Sequence, residues 1–230
     1  MTDEMFEELK SHLFSNAIIG SNVFLKTNPK EVRDFLRFIK ETAPYDVVID
    51  GLNVGYLVAT TDRKASKAAL LKKVVQPFLK KNKKILILGR NHMKRWHQRD
   101  MDFLSHHCKL FFTENLTHDD PFLLYAALYS DLGTTFVSRD FMRGHKALLP
   151  SERLRKTFRL WQQAHQIFPC ITQNSVVLKY PKIYCPNIHQ LGNGIWHVPY
   201  VSAEGTGASN TNHYQDEEVS WLCLTPAVRK

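Results

Sequence analysis

The sequence predicts an α/β fold: a parallel β-sheet flanked by helices, followed by a small β-rich region at the C-terminal end. Three observations carry this. Four short apolar runs, at 46–50, 84–88, 109–113 and 134–138, alternate with segments of helical pattern, the signature of a parallel sheet covered on both faces. Aspartates follow these runs or open the next helix: Asp50, Asp119, Asp120 and Asp140. After about residue 166 the pattern changes to short β-runs separated by Pro and Gly.

The elements follow in order. Residues 3–14 fit a short helix. A stronger one begins at Asn28-Pro29-Lys30-Glu31, where Asn28 can cap, Pro29 suits the first position and Glu31 completes a box-like pattern. Val32, Phe35, Leu36 and Ile39 then recur at helical spacing, and Pro44 ends the run. The 46–50 strand leads to a Lys-rich helix over about 64–81, the 84–88 strand to a helix around 92–106, the 109–113 strand to a helix starting at Asp119, and the 134–138 strand to a helix near 140–148. Crossovers between such strands are right-handed. Beyond them, 176–180, 195–198 and 219–224 read as short strands, and the polar, Gly-containing stretch 202–218 as a loop. The expected organisation is an N-terminal helical segment (1–27), the sheet domain (28–168) and a C-terminal β-rich segment (169–230).

The chain has 230 residues, enough for one substantial domain with an appendage, and 43% of them are hydrophobic, normal for a globular core. Its 31 Lys and Arg outnumber 22 Asp and Glu, giving +9. That balance favours a polyanionic partner, although a merely soluble basic surface shows it too. Cys108, Cys170, Cys185 and Cys223 form no CxxC, which suits a reducing compartment rather than a disulfide framework. No apolar run approaches the roughly 20 residues of a membrane span, so no membrane partner is expected. The acidic start Met1-Thr2-Asp3-Glu4 lacks the pattern of a secretory or mitochondrial leader. A cytosolic or nuclear protein and a fragment without its leader both fit.

Ligands of open α/β sheets bind outside the carboxyl ends of the strands. All four aspartates can reach that edge. Carboxylate oxygens held together there suit magnesium or manganese, and on a basic chain they point to metal-dependent hydrolysis of nucleic acid. Singly, each acid has a plainer use. Asp119 can cap a helix, Asp120 can favour the helix dipole, and an acid after a strand can form a turn. Their joint placement argues for a site. Gly51 permits close backbone passage beside Asp50, and Asn53 can bond a carboxylate or a water. Arg143 can clamp a phosphate, and His145 can move a proton or orient a ligand. Arg90, Lys94 and Arg95 follow a strand end on the same edge and suit phosphate contacts. The cluster Lys80, Lys81, Lys83 and Lys84 precedes a strand and reads as a solvated turn on the opposite edge. His197 and Cys223 can supply half of a tetrahedral zinc site, but by residue type alone a packed His and a buried free Cys explain them more simply.

Five ordered motifs carry a family resemblance: residues 45–54 (YDVVIDGLNV), 118–127 (HDDPFLLYAA), 138–146 (SRDFMRGHK), 161–165 (WQQAH) and 196–199 (WHVP). The chain resembles the metallonuclease domain of protein-only RNase P, in its animal mitochondrial form, from about residue 28 to 224. The resemblance implies an NYN/PIN-like fold, removal of the 5′ leader of precursor tRNA to leave a 5′-phosphate, and metal binding by Asp50, Asp119, Asp120 and Asp140. It assigns His197 and Cys223 to a structural zinc site whose CxxC half this chain lacks. It implies a mitochondrial matrix location and, as partners, a tRNA methyltransferase and a short-chain dehydrogenase-type protein. One motif departs: the family's Met-Arg-Asp-His is Met142-Arg143-Gly144-His145 here. A catalytically weakened RNA-binding module, or a PIN-like nuclease of other RNA, are the alternatives.

Overall fold

The computed structural model describes residues 1–14, 29–57, 66–114, 120–172, 175–181, 188–192, 194–200 and 220–226. They fall into two compact units, Met1–Pro181 and Lys182–Lys230. The first begins with α1 (Asp3–His12) and α2 (Pro29–Thr42). It continues with β1 (Val47–Asp50), α3 (Gly51–Gly55), α4 (Lys67–Leu79) and β2 (Ile85–Arg90). A 3₁₀ turn (Asn91–Arg95) leads into α5 (Gln98–His107), β3 (Lys109–Thr113), α6 (Asp120–Ser130) and β4 (Thr135–Val137). The unit ends with α7 (Arg143–Ala147), α8 (Glu152–His165), β5 (Gln166–Thr172) and β6 (Ser175–Lys179).

These strands form one six-stranded sheet in the order β3-β2-β1-β4-β5-β6. The first four interfaces are parallel and only β5–β6 is antiparallel. Side-chain alternation explains why the apolar runs are continuous: successive residues enter opposite cores. Val48, Leu86, Leu88 and Phe136 pack with α1, α2, α6 and α8 on one face. Val47, Ile49, Ile85, Ile87 and Val137 pack with α4 and α5 on the other.

The structure extends the predicted architecture at three places. α3 occupies the turn after β1, and α8 fills 152–165, where no element was expected. β5 and β6 belong to the main sheet, so the compact unit reaches Pro181 rather than ending at residue 168. Pro169 disguises β5 in the sequence. It is tolerated because β4 pairs only with Gln166 and Ile167, leaving one side of the later strand open. α1 joins the first core through Phe6 and Leu9 instead of standing apart. Asn28 and the loop 202–218 lie outside the described residues. Glu31, read as part of a capping box, accepts a hydrogen bond from the Glu114 backbone N–H.

In the second unit, β7 (His189–Gln190), β8 (Trp196–Tyr200) and β9 (Ser220–Leu224) form an antiparallel three-stranded sheet. No described helix is long and apolar enough to cross a membrane.

Candidate functional site

Asp50 ends β1 and caps α3, its Oδ1 accepting from the Asn53 backbone N–H at 2.9 Å. Helix α3 can start at once because Gly51 has no side chain: a Cβ there would stand 2.7 Å from the Leu88 carbonyl oxygen of β2. Ile49 is in register with Val137, so the next residues on the two strands, Asp50 and Ser138, come side by side. The Ser138 hydroxyl donates to Asp50 Oδ2 at 3.1 Å and accepts from the Asp140 backbone N–H at 3.1 Å. Asn53 Oδ1 accepts from the Arg139 N–H at 2.9 Å. The turns after β1 and β4 are thus stitched together, one buried hydroxyl bridging the Asp50 carboxylate and the Asp140 backbone.

The β4 turn is held from behind as well. Gln166, the first residue of β5, is 2% exposed, and its Nε2 donates to the Ser138 and Asp140 carbonyls at 2.8 and 2.9 Å. Gln162 of α8 donates to Gln166 Oε1 at 2.8 Å, fixing the orientation of that amide. Asp140 Oδ1 accepts from the Met142 N–H at 2.7 Å. Met142 is buried with φ 50° and ψ 34°, a left-handed conformation that costs a non-glycine residue about 1–2 kcal/mol. The surrounding hydrogen bonds hold this strained turn against the acid.

Asp120 opens α6, which returns from the carboxyl end of β3 toward the start of β4, so it stands at the same edge as Asp50 and Asp140. Asp119 lies outside the described residues. Among the described residues no three His, Cys, Asp or Glu groups gather as a metal cluster. The link that is seen runs from the Asp50 carboxylate through Ser138 to the Asp140 backbone.

The predicted basic groups lie along this edge. Arg90 ends β2 two residues beyond Leu88, the register partner of Asp50. Lys94 and Arg95 are exposed on the following 3₁₀ turn. Arg143 opens α7 with its guanidinium 5.5 Å from the centre of the exposed Phe141 ring, and His145 is half-buried on the same helix. Lys80–Lys84 form the turn before β2, on the opposite edge, where Lys83 Nζ meets Asp46 Oδ1 at 2.8 Å.

In the second unit His197 and Cys223 are register partners on β8 and β9, with Cys223 Sγ 3.6 Å from His197 Nδ1. His189 stacks on His197 with ring centres 5.0 Å apart. The pair is adjacent, as expected.

Sequence reasoning missed the roles of Ser138 and Gln166. The side-chain partners of Ser138 follow from the β1–β4 register, and Gln166 sits in the strand that Pro169 concealed. Neither leaves a local pattern.

Comparison with known proteins places the chain. The family model for protein-only RNase P matches residues 1–223. The chain is 34% identical over 236 residues to the mitochondrial ribonuclease P catalytic subunit of Rattus norvegicus, covering 99% of this chain and 38% of that protein. It is 26% identical over 212 residues to proteinaceous RNase P 3 of Arabidopsis thaliana, covering 84% of this chain and 32% of that protein. The crystal structure of nuclear proteinaceous RNase P 2 from A. thaliana superposes with a TM-score of 0.64 at 20% identity, over 99% of this chain and 45% of the other. The chain thus spans well under half the length of the relatives it matches, and it belongs to the protein-only RNase P family.

Proposed function

We propose that this chain carries the endonuclease chemistry of 5′ leader removal from precursor tRNA, leaving a 5′-phosphate on the mature end. The observation that carries the reading is the Ser138 link, which holds Asp50 and Asp140 together at the carboxyl edge of a parallel sheet. It is supported by likeness to relatives named as mitochondrial ribonuclease P catalytic subunits.

Asp50, Asp120 and Asp140, with Asp119, would hold magnesium or manganese, which supplies a bound hydroxide and neutralises phosphate charge. The donors suit a hard cation, being carboxylate oxygens only. The chain's own residues do the remaining work. Ser138 and Gln166 fix the turn that presents Asp140. Arg90, Lys94, Arg95 and Arg143 draw the phosphate backbone across the edge. His145 moves a proton or orients a ligand. His197 and Cys223 would contribute two ligands to a structural zinc site whose CxxC half this chain lacks.

The names of the relatives support a mitochondrial location, and the matrix is where the proposal places this chain. A tRNA methyltransferase and a short-chain dehydrogenase-type protein are the proposed partners.

The test is incubation of the 230-residue chain with precursor tRNA and with unstructured RNA of equal length, followed by mapping of the cut and of the product 5′ end. Cleavage at the leader junction leaving a 5′-phosphate is expected. Equal cleavage of both RNAs, or products with 5′-hydroxyls, would overturn the proposal in favour of another nuclease. Binding without cleavage would favour a weakened RNA-binding module.

A further inference from the structure

We infer that Tyr56, supported by Trp96 and Lys67, is a stacking site for an unpaired RNA base next to the cleaved bond; the inference rests on the nuclease reading of the neighbouring acids. Tyr56 closes α3, the helix that Asp50 caps. At a rise of about 1.5 Å per residue, the two lie on the order of 9 Å apart along the helix. Yet Tyr56 is 56% exposed, while its neighbours Val54, Gly55 and Leu57 are buried.

Scattered exposed aromatics are ordinary, but this one is built into a platform. Lys67 Nζ lies 3.6 Å from the Tyr56 ring centre, a close cation–π contact. The Trp96 ring meets Tyr56 edge-on, with centres 6.3 Å apart and planes at 69°. Trp96 is itself seated on Gly55, where a Cβ would stand 2.3 Å from a ring carbon. Only glycine allows that approach, so the backbone between Asp50 and Tyr56 is shaped to receive the indole. The result is an aromatic ring held in place, with the Lys67 ammonium over one face and more than half of the residue open to solvent.

Charge selects the occupant. Arg90 ends β2, and Lys94 and Arg95 follow it immediately before Trp96, on the edge that carries Asp50. A row of cations suits a phosphate backbone, and an exposed ring suits any base, because every base has a π-face. Alternating cations and aromatics is the usual construction of a groove for single-stranded nucleic acid. An unpaired nucleotide passing the acids can set its phosphate against the basic row and its base against Tyr56. This would position the strand without reading its sequence.

The test uses the 230-residue chain and fluorescently labelled precursor tRNAs carrying single abasic substitutions, scanned through the leader and the first nucleotides of the mature end. Binding is measured in excess chelator, so that cleavage does not intervene. Tyr56→Ala should weaken binding of the intact RNA by about fivefold to a hundredfold, while Tyr56→Phe retains it. Tyr129→Ala removes another exposed tyrosine, near the far end of α6, and should leave binding unchanged. At one RNA position the abasic substitution should weaken wild-type binding, and there Tyr56→Ala should cause no further loss. Equal binding by Tyr56→Ala and Tyr129→Ala would overturn the inference. So would losses that multiply at every abasic position. Cleavage in magnesium is scored separately, so failure of the nuclease reading appears as binding without cutting, and failure of the stacking site as binding indifferent to Tyr56.

Discussion

Replacing Ser138 with Ala removes one hydroxyl and no packing volume beyond it, yet it unties the Asp50 carboxylate from the Asp140 backbone. Ser138 is fully buried and makes two hydrogen bonds, one donated to a carboxylate. A hydrogen bond to a charged group contributes about 1.5–3 kcal/mol, and its loss leaves Asp50, 7% exposed, without one of its donors. A destabilisation of about 2–3 kcal/mol is expected. For a unit of this size that lowers the thermal midpoint by about 4–12 °C. Thermal and urea unfolding, followed by circular dichroism, measure it directly. A double-mutant cycle with Asp50→Asn isolates the shared interaction and should give a coupling of about 1 kcal/mol or more. If the two substitutions are additive within about 0.3 kcal/mol, Ser138 does not hold Asp50, and the account of the joined acids fails.

Three other outcomes follow from the same geometry. Gln166→Leu removes both hydrogen bonds to the Ser138 and Asp140 carbonyls, strands the buried Ser138 carbonyl and unpairs Gln162. It should cost about 2–4 kcal/mol in urea unfolding, and a cost below about 0.5 kcal/mol would show the turn supports itself. Asp46 is held below the ordinary carboxylate range by the hydrogen bond from Lys83, then by the Lys84 backbone N–H. Its stabilising effect is therefore full above its unfolded value and lost as pH falls through its lower folded value. The stability difference between wild type and Asp46→Asn should be present at pH 7 and shrink toward pH 3; a pH-independent difference would contradict the assignment. A Cβ at Gly144 meets nothing within 4 Å, so Gly144→Asp should leave the thermal midpoint unchanged or slightly raised, because glycine is a poor helix residue. A fall of more than about 5 °C would show that the motif departure is sterically required.

Much of the fold was legible because each strand of the parallel sheet is buried on both faces. Ile49, Ile87 and Val137 enter one core while Val48, Leu86 and Phe136 enter the other, so their strands read as unbroken apolar runs. β5 was hidden because Pro169 interrupts its run at the point where pairing with β4 stops. α3 was hidden because five residues starting at a glycine carry no helical period; it exists because Asp50 caps it and Gly51 fits against Leu88. At the carboxyl edge, the ends of apolar runs were enough to place Asp50 at the end of β1 and Asp140 after β4. The hydroxyl that joins them could not be read, because it depends on how β1 registers against β4 across 88 residues of chain. The same holds for the amide of Gln166, whose partners lie 28 and 26 residues away.

The most direct test of the acidic edge is the initial rate of precursor-tRNA cleavage against magnesium concentration, for wild type and for Asp50→Asn, Asp120→Asn and Asp140→Asn. The account predicts cleavage that saturates with magnesium, vanishes in excess chelator and falls by orders of magnitude in each variant, with the fold intact by circular dichroism. Cleavage that persists in chelator, or that survives Asp50→Asn and Asp140→Asn at the wild-type rate, would contradict it.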